Sequence, residues 1–175
     1  MKSLLIICSL LLASLTACAS SLLEDDGVNR LYNTDNKQAD QLFEQIIETL
    51  ENSDASLLKE LFSPNATISA QNIDEEIKAL LDFYDGQMTE YQRYGPASYA
   101  SKNGSAIVKE LIVSYDVTTT IGMYRIAFKF CTHDSLTPAN IGLLSIYIIK
   151  AEDSDMNFAY WGGDKWNPGI TIENA

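Results

Sequence analysis

Histidine occurs once in the 175 residues, at position 133. That scarcity removes most metal and acid–base chemistry. A closed zinc site needs four ligands, and no second Cys/His pair stands near Cys131-Thr132-His133-Asp134. A Ser-His-Asp triad would have to use His133, and no Gly-x-Ser-x-Gly segment is present. Phosphate loops are missing too, because Trp161-Gly162-Gly163-Asp164 does not match Gly-x-x-x-x-Gly-Lys-[Ser/Thr]. The acidic stretch Glu152-Asp153-Ser154-Asp155 lacks the glycine and distal Glu of a calcium loop, and reads as a solvated turn. Basic residues are few, 12 against 24 acidic ones, for a formal net charge of −12. Such a polyanion repels phosphate backbones and anionic lipid, which excludes nucleic acid and electrostatic membrane docking. No apolar run reaches the roughly 20 residues of a bilayer span. No catalytic residue, cofactor or metal is expected.

What is present begins at the N-terminus. Lys2 gives a short positive segment, and residues 4–17 form an apolar run of about 14 residues, the length of a signal peptide core. At its end stands Leu15-Thr16-Ala17-Cys18. A branched apolar residue, two small residues and a cysteine look like a lipobox. Leu15, Thr16 and Ala17 fit the peptidase cleft, and the Cys18 thiol takes the diacylglyceryl group. Residues 1–17 are therefore expected to be a lipoprotein signal peptide. Cys18 becomes the lipid-carrying terminus on the extracytoplasmic face of a bacterial cell membrane, and two or three acyl chains hold firmly where one does not. Cys8 leaves with the leader. Cys131 then stays alone, either a buried small hydrophobe or a free reactive thiol, and no intramolecular disulfide can form. Residues 18–35, with Glu24-Asp25-Asp26-Gly27, show no sustained periodicity and read as a lipidated flexible tether.

Beyond the tether, 46% hydrophobic and 21% charged residues describe an ordinary globular domain. Ala39, Leu42, Phe43, Ile46, Ile47 and Leu50 recur at steps of three and four, predicting a helix over 37–52 with Asp35 and Gln38 as a capping box. A second helix is expected over 54–62, stopped by Pro64, and a third over 73–85, started by Asn72 or Asp74 and stopped by Gly86. After Gly86 the period becomes two. A weak strand signal at 88–99 breaks at Gly95-Pro96, and Asn103-Gly104 is a hairpin cue. A strand over 106–118 puts Ile107, Leu111, Val113, Tyr115 and Val117 on one face. Another over 123–132 puts Tyr124, Ile126, Phe128 and Phe130 on one face, with Arg125, Ala127, Lys129 and Cys131 opposite. Residues 141–150 form the most apolar strand, 157–161 a last one, and His133 belongs to a strand-end turn before Pro138. Three N-terminal helices on one curved antiparallel sheet make an α+β domain over 36–163, followed by a loose tail over 164–175.

The carrying segments are Gln41-Leu42-Phe43-Glu44-Gln45-Ile46-Ile47, Leu57-Leu58-Lys59-Glu60-Leu61-Phe62-Ser63, and Ile73-Asp74-Glu75-Glu76-Ile77 leading to Phe83-Tyr84-Asp85-Gly86. Over about residues 37–163 they resemble uncharacterised bacterial lipoproteins with a nuclear transport factor 2-like (cystatin-like) domain of unknown function. The resemblance implies a sheet wrapped as a cone around a long helix, and brings no catalytic motif. If the cone is hollow, Tyr84, Tyr115, Tyr124, Phe128 and Tyr147 are the candidate pocket, as aromatics with polar handles suit a cavity as well as a core. Three functions stay open: an exported domain binding a small apolar ligand or an envelope protein; a purely structural envelope module; or an isomerase or dehydratase. The last would need a base in a dry pocket, with Asp116 and His133 as the strand-borne candidates.

Overall fold

The structure is a computed structural model that describes residues 19–94, 99–103, 106–153 and 166–173. Among the described residues four helices come first. α1 spans Ala19–Glu51, α2 Ala55–Leu61, α3 Pro64–Ser69 and α4 Ile73–Phe83. Six strands follow among the described residues: β1 Met88–Tyr94, β2 Tyr99–Asn103, β3 Ala106–Thr119, β4 Met123–Asp134, β5 Gly142–Lys150 and β6 Gly169–Glu173. Short 3₁₀ turns occupy Pro138–Asn140 and Ala151–Asp153.

The apolar stripe of α1 is buried as its spacing demands: Ala39, Phe43, Ile46, Ile47 and Leu50 lie in the core, with Leu42 packed against it. The start of this helix differs from expectation. The backbone of residues 19–35, read as a tether, is helical, so Asp35 and Gln38 do not cap anything. Asp35 is instead a buried carboxylate mid-helix, paired with Lys109 of β3. A helix already nucleated by its packed half adds further turns without a new nucleation cost, whatever their periodicity.

α2 starts at Asp54, whose side chain accepts from the Leu57 N–H at 3.0 Å. Pro64 does more than end it. It occupies the first turn of α3, behind Ser63, whose hydroxyl accepts from the Ala66 N–H at 3.1 Å. The sequence reading missed this helix because proline stops one helix and starts another with equal ease. Before α4, Asn72 makes no side-chain capping bond. Gly86 does take a left-handed conformation, at φ +85°, three residues past the end of α4.

The strands form one six-stranded sheet in the order β1-β3-β4-β5-β6, with β2 also paired to β3. The α+β class holds, yet the sheet is mixed. β1 to β5 pair antiparallel, while β6 runs parallel to β5 with Ser145 opposite Gly169. β6 lies inside the stretch expected to be a loose tail, so the folded unit extends past residue 163. The predicted strand over 157–161 lies outside the described residues, as do the leader and Cys18. Among the described residues no helix is long and apolar enough to cross a membrane.

The inner face carries Leu111, Val113, Tyr115, Val117, Tyr124, Ile126, Phe128, Phe130, Leu143, Ile146 and Ile148, all buried in one core with the helices. Ile107 was expected there and is half exposed, because it stands one pleat beyond the Lys109–Asp35 pair that ties the sheet to α1. The outer face is covered too. Ala127, Tyr147 and Ile149 form a second buried cluster against which Trp166 packs, and Cys131, Ser114 and Ser145 are buried beside it. Burial on both faces explains why β5 reads as a continuous apolar run.

Candidate functional site

Four of the five candidate pocket residues come together, and one does not. Tyr84, Tyr115, Tyr124 and Phe128 lie in the inner core; Tyr147 is on the opposite face, where its hydroxyl donates to the Glu173 carboxylate. Phe43 stacks on Tyr115 with centroids 3.9 Å apart and planes 13° apart, and Phe128 lies parallel to Tyr115 at 5.9 Å. Tyr84 meets Tyr124 at 5.0 Å. Phe43, Tyr115 and Phe128 have no accessible surface at all. The space between α1 and the sheet is thus occupied by rings at van der Waals packing, so these aromatics act as core filler.

Their polar handles are mostly tied down. Tyr115 Oη donates to Asp40 Oδ1 at 2.8 Å, and Arg93 Nη1 reaches both Asp40 oxygens at 2.7 Å. Burial and then the Asp40 carboxylate push the Tyr115 phenol well above its ordinary value, so it remains a donor. Tyr124 Oη donates to Phe83 O at 3.3 Å and accepts from the Asp85 N–H at 3.0 Å. Tyr84 Oη is buried with no partner, and burial raises its pKa.

The catalytic candidates are dispersed. Asp116 is paired with Arg125 Nε at 2.9 Å, and His133 is exposed. The Cys131 thiol donates to His133 O at 3.3 Å, and burial pushes its pKa up, against thiolate formation. Of the two descriptions open to Cys131, the buried small hydrophobe is the one observed. Among the described residues no group of three His, Cys, Asp or Glu is placed to hold a metal.

The turn after β4 is built on Asp134. Its carboxylate accepts from Asn140 Nδ2 at 2.8 Å, Thr137 N at 2.8 Å and Leu136 N at 2.9 Å. These bonds, that of Asn140 foremost, hold the Asp134 carboxyl below the usual aspartate value, with burial opposing them. A carboxyl depressed by folding adds stability above the unfolded value near 3.9, and that contribution is lost as pH falls through the folded pKa. Asp134→Asn should therefore lower stability at pH 7 and leave less further loss on going to pH 3. Urea titrations at the two pH values check this; an unchanged pH 7 midpoint would refute it.

Several cavities open on the surface of the described residues. One of about 600 Å³ runs along the exposed side of α1, lined by Gln38, Gln41, Glu44, Gln45 and Glu48 with Thr132. Another of about 340 Å³ lies between α1 and α2 and includes the half-exposed Leu57. A third, of about 300 Å³, sits over the outer face of the sheet, lined by residues from separate segments of the chain, among them Asn65, Glu110, Lys129, Asn140 and Trp166. None of these cavities was expected from the sequence. Their linings are mostly ordinary polar residues, and only the tertiary fold gathers them.

Residues 45–151 match the family model for a domain of unknown function (DUF5104). No curated protein matches the chain.

Proposed function

The chain belongs to the DUF5104 family of unknown function, and we propose that it is a lipid-anchored, extracytoplasmic, non-catalytic binding domain that recognises its ligand or envelope partner with its exterior. One observation carries this choice: the Phe43–Tyr115–Phe128 stack fills the space between the long helix and the sheet, where a hollow cone would hold an apolar ligand. A long helix laid along the inner face of a sheet is also the arrangement of a nuclear transport factor 2-like cone, which supports that finer fold description. An isomerase or dehydratase is disfavoured, since Asp116 is ion-paired and His133 faces water.

The anchor rests on Leu15-Thr16-Ala17-Cys18 and on the acidity of the chain, which leaves a covalent lipid as its means of membrane attachment. Cys18→Ala is expected to accumulate as unprocessed precursor, whereas the wild-type protein loses residues 1–17 and gains diacylglyceryl mass. Membrane fractionation and intact-mass spectrometry read both. Cleavage and release of the Cys18→Ala chain at the normal rate would overturn the anchor. Exterior recognition predicts that the detergent-extracted protein carries no stoichiometric apolar small molecule in native mass spectrometry; a bound one would restore the inner-cavity alternative.

A further inference from the structure

The outer-face cavity has a composition that selects a ligand class. In the cross-strand row Ile112–Lys129–Ser145–Gly169, Lys129 and Ser145 share the outer face. Lys129 Nζ meets Glu110 Oε2 at 2.7 Å, so the one cation and one anion among the described residues of the cavity cancel. Each retains capacity: an ammonium has three donors, and a carboxylate has a second oxygen. Across the cavity, Asn65 donates through Nδ2 to Asn140 Oδ1 at 2.7 Å, which leaves Asn65 Oδ1 and its second N–H for another partner. Trp166 lines the same cavity, supplying an indole among these polar groups. Beside Lys129, Ser145 Oγ is fully buried and has no hydrogen-bond partner.

Donors and acceptors interleaved around a neutralised ion pair suit a ligand whose every group is both donor and acceptor. Free anions meet Glu110, and free cations meet Lys129. An aromatic surface suits the apolar C–H face of a ring. We propose that this cavity, bounded by Asn65, Glu110, Lys129, Asn140 and Trp166, binds a neutral pyranose saccharide. Vicinal hydroxyls would be shared between the Lys129–Glu110 pair and the Asn65 carboxamide, with the ring against Trp166. A volume of about 300 Å³ is at the small end of ligand sites and fits a saccharide of one or two rings. The proposal deepens the exterior-binding reading and rests on it.

Saturation-transfer-difference NMR on the full processed chain in detergent micelles tests it. The probes are N-acetylglucosamine and maltose, with glucose 6-phosphate and trialanine as the charged and peptide comparators. Neutral saccharides are expected to receive saturation. Glu110→Gln and Asn65→Ala should each weaken them about tenfold, the loss of one or two hydrogen bonds, one of them charge-assisted. Gln41→Ala, on the α1 side, should bind as wild type. Thermal unfolding of each variant separates lost binding from lost fold. The proposal fails if no neutral saccharide gives a signal up to about 10 mM, well above a millimolar Kd. It also fails if only glucose 6-phosphate or trialanine responds, or if both folded variants bind as wild type. Saccharide binding by a chain that proves to be unlipidated would overturn the anchor alone; an anchored chain without saccharide binding would overturn this site alone.

Discussion

Gly142→Ala is expected to destabilise the protein by about 3–5 kcal/mol, combining an unfavourable backbone conformation with a steric collision. Gly142 opens β5 at φ +127°, a conformation that L-residues rarely adopt. An added Cβ would stand 2.9 Å from Ser63 N, 3.1 Å from Ser63 Cα and 3.2 Å from Leu61 O. All three are backbone atoms, so no side chain can swing away. The junction is also committed elsewhere. The Ser63 N–H donates to Leu143 O at 2.8 Å, Phe62 bridges Leu143, and the Ser63 hydroxyl caps α3. Relieving the clash would part the α2–α3 turn from the sheet. Gly122→Ala is the control: it has open space around its Cβ and no positive φ, and should stay within about 0.5 kcal/mol of wild type. Urea unfolding of the two variants measures the contrast. A Gly142→Ala midpoint close to that of Gly122→Ala would show that the junction yields, and would refute the prediction.

Phe43→Ala is expected to cost about 3–5 kcal/mol, the range for deleting a buried phenylalanine ring. Its ring is fully buried, stacked on Tyr115 at 3.9 Å and tilted against Tyr91 at 4.9 Å. The cost depends on whether α1 can settle into the gap, and three ties oppose that. Asp35 holds Lys109, Asp40 holds Arg93 and Tyr115, and Glu51 Oε1 accepts from the Met88 N–H at 2.5 Å. The helix is therefore pinned to the sheet near both ends of its packed half. Phe43→Leu, which keeps most of the volume, should cost less than about 1.5 kcal/mol. Chemical denaturation of the pair decides the matter. If Phe43→Ala unfolds with the same midpoint as Phe43→Leu, the stack contributes little and the inner face is less tightly filled than it looks.

Both predictions bear on function. The filled inner face directs attention to the exterior, and Gly142 begins the strand that carries Leu144 and Ser145, at and beside the outer-face cavity. Neither fact was legible in sequence. Periodicity says that Tyr115 and Phe128 point inward; it cannot say whether they meet Phe43 or leave a hollow, because that depends on the distance between α1 and the sheet. Likewise, a glycine after Ile141 is unremarkable until Ser63, far away in the chain, is brought against it.

The sequence by itself determined whatever follows from local pattern. The stripe Ala39, Phe43, Ile46, Leu50 made a helix with one buried face, Asp54 started α2, and the alternation Tyr124, Ile126, Phe128, Phe130 set the inner face of β4. The period change after Gly86 gave the α+β class. Such signals are strong because a helix or strand must bury one side, and the spacing of apolar residues records which. Only the tertiary structure decided the rest. β6 pairs parallel to β5: Ile170-Thr171-Ile172 has strand propensity, but nothing local says which strand it joins or in which direction. α1 continues back to Ala19 through residues without a stripe, since its packed half had already nucleated it. Asp35, expected to cap a helix, instead holds Lys109 seventy-four residues away. The outer-face cavity draws on positions 65, 110, 129, 140 and 166. Contacts between segments so distant leave no periodic trace, because each residue needs only to be polar and in place, and place is a property of the fold.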